Sequence, residues 1–150
     1  MEIAQQGPPT NPTCAACGQY FNESYYGNGF YAYPAKDLNF TGVCNGSTVA
    51  FNFSPMSVPN RFIVYDNSNN IVCQSGVGTS TSGHNGWIGT TSYGGPWGSS
   101  FSTGGDETPV TFTYDSSKTY RLVVETTTTQ SGSEQGSGND NWAVSVSCSH

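Results

Sequence analysis

Charge is scarce in this chain: only 9% of its 150 residues are Asp, Glu, Lys or Arg, and the fixed cations are Lys36, Arg61, Lys118 and Arg121. At a formal net charge of −6 there is almost nothing with which to release counterions from a phosphate backbone, which argues against nucleic acid as a ligand. The same shortage argues against an anionic membrane surface, and no apolar run approaches the roughly 20 residues of a spanning helix. Helix formers are few. The start, MEIAQQGPPTNP, has neither a basic n-region nor an apolar h-region and is not expected to be a secretory signal.

Catalytic equipment is also thin. The two histidines are His84, in a glycine-rich stretch, and His150 at the terminus, so a serine nucleophile has no positioned base. Asp106 and Glu107 are adjacent and point apart in an extended chain, which does not place two carboxylates across a glycosidic bond. Gly78–Gly83 lacks the lysine and following helix of a phosphate cradle. The expectation is a protein that is not an enzyme.

What is abundant is Gly (19), Pro (8), Ser, Thr and aromatic residues, the profile of a loop-rich β protein. The central signal is Val58–Gly76, in which the apolar runs Arg61–Tyr65 and Ile71–Cys73 flank the polar turn Asp66–Asn70. This reads as a β-hairpin. Alternation places Val49, Phe51 and Phe53 on one strand face; Val110, Phe112 and Tyr114 on another; then Tyr120, Leu122 and Val124; and finally Trp142, Val144, Val146 and Cys148. Asp115–Lys118 is expected to close a second hairpin. From Val77 to Glu107 no strand is expected. Short strands without helical periodicity predict an all-β, antiparallel β-sandwich, jelly-roll-like, spanning residues 36–150 behind an irregular N-terminal arm of residues 1–35.

Five cysteines allow at most two bridges with one left over. Cys14 and Cys17 are spaced for a local disulfide, half of a zinc site or a redox pair. Terminal strands of such folds lie side by side, so Cys44 and Cys148 are candidates for a bridge, with Cys73 as the competing partner. For metals, calcium is the cation with some basis, because oxygen-rich loops at Asp66–Asn70 and Asn139–Asn141 suit it; Asp37 and Asp140 are the candidate ligands.

Two aromatic groups invite a functional reading. Tyr20, Phe21, Tyr25, Tyr26, Phe30 and Tyr31 either pack on the domain's own surface or dock onto a neighbouring subunit, and are the candidate assembly residues. In the long loop, Trp87, Tyr93 and Trp97 either seal one end of the sandwich or form a platform for a sugar or a partner.

The order GSTVAFNFSPMSVPNRFIVYD, IVCQSG, WIG, GGPWGSSF, FTYDSSKTYRLVVET and NDNWAVSVSC resembles small β-sandwich modules of tailed-phage virion proteins: tail fibres, head fibres and capsid decorations. That resemblance covers roughly residues 38–148. It implies a non-enzymatic structural protein, on a virion or otherwise extracellular, whose partners are other virion proteins, copies of itself or a host surface glycan. The N-terminal segment, with its Cys14/Cys17 pair and tyrosine cluster, stands outside the pattern and is the expected attachment device. A carbohydrate-binding module and a self-assembling extracellular fibre subunit are the alternative readings.

Overall fold

The hairpin about Asp66–Asn70 is the tip around which the whole molecule rolls. The structure, a computed structural model, describes residues 14–27, 30–55, 58–76, 86–91, 101–102, 107–127 and 139–150. Its strands are β1 (Gln19–Tyr26), β2 (Phe30–Ala32), β3 (Lys36–Asp37), β4 (Thr48–Ser54), β5 (Asn60–Asp66), β6 (Ile71–Gln74), β7 (Trp87–Ile88), β8 (Thr90–Thr91), β9 (Phe101–Ser102), β10 (Glu107–Thr113), β11 (Tyr120–Thr127) and β12 (Asn139–Ser149). Among the described residues there is no helix.

The pairing is nested. β5 pairs β6, β4 pairs β10, β2 and β3 pair β11, and β1 pairs β12, all antiparallel. The main strands therefore form one long hairpin that rolls up until β12 also pairs β4 and β11 also pairs β5. Two sheets result: sheet I in the order β1-β12-β4-β10, and sheet II in the order β2-β11-β5-β6, with β3 also on β11 and β7 also on β5. This is the strand order of a jelly roll, which answers the sequence expectation of a β-sandwich. β8 and β9 pair with each other outside these sheets.

At the tip, Asp66 shapes its own turn. Its carboxylate accepts hydrogen bonds from the backbone N–H of Ser68 (2.8 Å) and Asn70 (3.0 Å), and Asn69 takes a left-handed φ of 65°. Asp and Asn suit these roles because short polar side chains bond their own backbone and tolerate positive φ.

The predicted inward faces are the core. Val49, Phe51, Phe53, Trp142, Val144 and Val146 line sheet I, and Phe62, Val64, Leu122 and Val124 line sheet II, each at most 3% exposed. Phe53 and Phe62 stack across the sandwich, ring centroids 4.8 Å apart and planes 7° from parallel. Full burial of a side chain of this kind contributes roughly 1.5–3 kcal/mol.

Three expectations are corrected. Residues 19–26 and 30–32 are sandwich strands: β1 lies at the edge of sheet I and β2 at the edge of sheet II, so a boundary at 35/36 falls inside the fold. Asp115–Lys118 is a corner between sheets and does not close a hairpin, because β10 pairs β4 in sheet I while β11 pairs β5 in sheet II. Alternation tells which face is buried but not which neighbour is paired; here Tyr114 continues the sheet I ladder to Gly46 and Ser47 through two 2.8 Å backbone bonds. Finally, Val77–Glu107 does contain strand: Trp87 and Ile88 add β7 to the side of β5.

Candidate functional site

The N-terminal aromatics divide by strand parity. β1 alternates half-buried and exposed positions along its length, as expected of a strand with one face on a core. Phe21, Tyr25 and Tyr31 turn inward and pack on the core cluster, whereas Tyr20, Tyr26 and Phe30 stand 64%, 73% and 60% exposed. Tyr25 and Tyr31 stack at 3.8 Å, and Tyr33 meets both edge-on before its ring contacts Trp142 at 5.5 Å. The six candidate assembly residues are thus three anchors and three presented rings.

Beneath this stack lies a buried polar cluster. Tyr33 donates its hydroxyl to Asp140, and Asn60 Nδ2 donates to both Asp140 oxygens (3.2 and 3.1 Å) and to the Glu125 carbonyl (3.2 Å). Asp140 and Asn60 are fully buried, and Thr126 borders them. Burial pushes the Asp140 carboxyl up to about 6, although hydrogen bonds from Tyr33, Asn60 and Thr126 favour its charged form. Desolvation, and then the neighbouring Asp140, push the Tyr33 phenol far above its ordinary value. The arrangement joins the two sheets, with Asp140 fully buried.

The calcium expectation is corrected by the same geometry. Asp37 is opposite Arg121, whereas Asn60, the Asp140 partner, is opposite Thr126. Five residues of β11 separate those points, about 17 Å. Asp66 is likewise committed to its turn and to Lys118 (3.4 Å). Among the described residues no three His, Cys, Asp or Glu side chains converge in a way that would hold a metal.

The cysteines pair as Cys14–Cys44 and Cys17–Cys148, leaving Cys73 free. This overturns the Cys44–Cys148 bridge and each local reading of Cys14/Cys17, since the two sulfurs go to different partners and leave no thiolate for zinc. The reason is topological: β1 is adjacent to β12, so Cys17, just before β1, meets Cys148, near the end of β12. Burial pushes the Cys73 thiol up to about 12.

Trp87 is 9% exposed, with the Arg61 guanidinium 5.2 Å from its ring centroid. Arg61 is held in turn by Glu125 through Nε (2.7 Å) and Nη2 (2.6 Å). Two glycines allow this approach. Gly76 and Gly86 have φ of +86° and +92°, and a Cβ on Gly76 would lie 2.6 Å from the Gly86 Cα. Trp87 thus packs beside Arg61 on the outward parity of β5, while its neighbour Ile88 joins the core cluster. Tyr93 and Trp97 lie outside the described residues.

A surface that no motif singled out lies on the outer face of sheet I. Tyr20, Asn22, Ser24 and Tyr26 on β1, with Asn141, Ala143, Ser145 and Ser147 on β12, face outward by parity, as do Thr48, Ala50, Asn52, Ser54, Thr111 and Thr113. None is charged. Between β1 and β12 runs an open groove of about 300 Å³, lined by Tyr20, Asn22, Glu23, Ser24, Asn141 and Trp142. Glu23 and Trp142 belong to the inward parity, and Glu23 pairs with Lys36 across the sheets. The available signal was the polar half of each alternation, which sequence reading treats as solvent-facing.

No family model, curated protein or solved structure matches this chain.

Proposed function

We propose that this chain is a non-enzymatic structural module of a virion or another extracellular particle, assembling with copies of itself or with other particle proteins through the β1–β2 end. The observation that carries the reading is the pair Tyr26 and Phe30, which flank the β1–β2 connection at 73% and 60% exposure while the stacked Tyr25 and Tyr31 hold the strands beneath them. Large exposed rings on a rigid base are costly in water and favourable in an interface, where Tyr and Phe are enriched. Two disulfides suit an oxidising environment. The non-enzymatic part rests on the buried and bonded state of Asp140 and Asp66, the carboxylates best shielded from water.

Light scattering on the full chain and on a Tyr26→Ser/Phe30→Ser double variant tests this. The expected result is a defined oligomer for the full chain and a folded monomer for the variant. A full chain that stays monomeric at every concentration removes self-assembly, and an oligomer indifferent to the double variant removes this end as its interface.

A further inference from the structure

The groove on the outer face of sheet I has the composition of a small-molecule site more than of a solvated strand face. Solvated sheet faces and edge strands ordinarily carry Lys or Glu, which keep the surface soluble and oppose edge-to-edge pairing. Here the outward positions of β1 and β12 carry none, and the charged residue lining the groove, Glu23, is of the inward parity and paired with Lys36. The outward positions of β1 and β12 offer amides, hydroxyls and two tall rings, Tyr20 and Tyr26, of which Tyr20 lines the groove, 64% exposed beside the short Ser145 that is opposite it in register.

We propose that this groove binds a neutral sugar chain, with Tyr20 as the stacking wall and Asn22, Ser24 and Asn141 as its hydrogen-bonding partners. A pyranose has an apolar C–H face and a rim of hydroxyls, so it needs a flat ring set beside groups that both donate and accept. Tyr20 supplies the ring, and the two amides and the serine supply paired donors and acceptors. The register puts Ser24 directly opposite Asn141 and Asn22 two residues along the same face, so the polar partners form one short row next to the ring. The volume of about 300 Å³ sits at the lower end of the roughly 300–1,000 Å³ of ligand sites, and the groove is open, which suits one sugar unit of a longer chain.

Charge selects the ligand class. A sulfated or uronic-acid chain would meet no cation among the described outward positions of this face, and the overall charge of −6 would repel it. A neutral chain loses nothing by this. Because the site is built on paired strands and not on a loop, its groups are held before the ligand arrives. Tyr26 stands on the same face two residues beyond Ser24 but does not line the groove, so glycan binding and assembly are tested with different variants.

Isothermal titration of the full chain with neutral hexasaccharides (cellohexaose, xylohexaose, mannohexaose and maltohexaose), with heparin and polygalacturonate as charged probes, tests the site. The expected result is binding to at least one neutral hexasaccharide that is insensitive to salt, weakened about tenfold or more by Tyr20→Ala and retained by Tyr20→Phe. Asn141→Ala should weaken it independently, with near-UV circular dichroism unchanged in all three variants. Absence of binding to every neutral hexasaccharide overturns the proposal, as does binding confined to the charged probes. Binding that survives both Tyr20→Ala and Asn141→Ala overturns it as well. Each of these outcomes leaves the light-scattering result untouched.

Discussion

The Tyr33 hydroxyl donates to the Asp140 carboxylate across the seam between the sheets, and the carboxylate has no cation among the partners that bond it. Among the described residues, Asp140 is therefore a buried acid held by neutral donors alone. Its charge costs free energy in a way that a salt-bridged aspartate would not.

Stability should accordingly fall as pH rises through the Asp140 transition. Its folded value is about 6, above the unfolded value of about 3.9. A raised acid binds its proton more tightly in the folded state, so the benefit is full below pH ~4 and is lost between pH ~4 and ~6, on the order of 3 kcal/mol. Asp66 and Asp115 act in the opposite sense. Backbone bonds from Asn70 and Ser117 hold them below their usual range, so their contribution is lost as pH falls below ~4. Urea midpoints measured from pH 3 to 8 should peak near pH ~4–5, and Asp140→Asn should flatten the descending limb. A limb unchanged by that substitution would assign it to another group.

Removing the disulfides should separate two effects. Replacing Cys17 and Cys148 by serine releases a link between residues 131 apart, against 30 for Cys14–Cys44, and loop-entropy estimates run about 3–5 kcal/mol for such closures, larger for the longer one. Urea unfolding of each double-serine variant gives the order. Equal losses would mean that the Cys17 link acts through something other than the unfolded chain.

Across the sandwich, Phe62→Ala should cost about 3–5 kcal/mol, because the ring is fully buried against Phe53 and Trp142 and its removal leaves a cavity. Ile71→Ser, at a residue 52% exposed, should stay within about 0.5 kcal/mol. Thermal melts of the pair check both. A mild Phe62→Ala would show a core able to collapse onto the gap.

Gly76→Ala should destabilise by about 2–3 kcal/mol, since alanine meets both a left-handed φ and the backbone of Gly86. The loss should be accompanied by greater accessibility of Trp87 to a fluorescence quencher such as acrylamide. Unchanged quenching would separate Gly76 from the closure over Arg61.

Much of the fold was legible because alternation is a local signal. Val49-Phe51-Phe53, Leu122-Val124 and Trp142-Val144-Val146 each announce a buried face within a few residues. The candidate sites were less legible. Sequence leaves Trp87 open between sealing and platform because exposure of a ring depends on what closes over it, and Arg61 lies 26 positions earlier in the chain. The outer groove was missed because Asn22, Ser24 and Asn141 look like any polar half of a strand until β1 is laid beside β12.

By itself the sequence determined the strands β4, β5, β6, β10, β11 and β12, their inward faces and the tip turn at Asp66–Asn70, since all of these follow from side-chain parity and local backbone chemistry. Only the tertiary structure decided which strands pair, that β10 and β11 part into different sheets, that Cys17 reaches Cys148, and that Asp140 is a buried acid far from Asp37. Those outcomes depend on closing long loops, and the free energy of closure is settled by what the returning chain meets, which no short window of sequence contains.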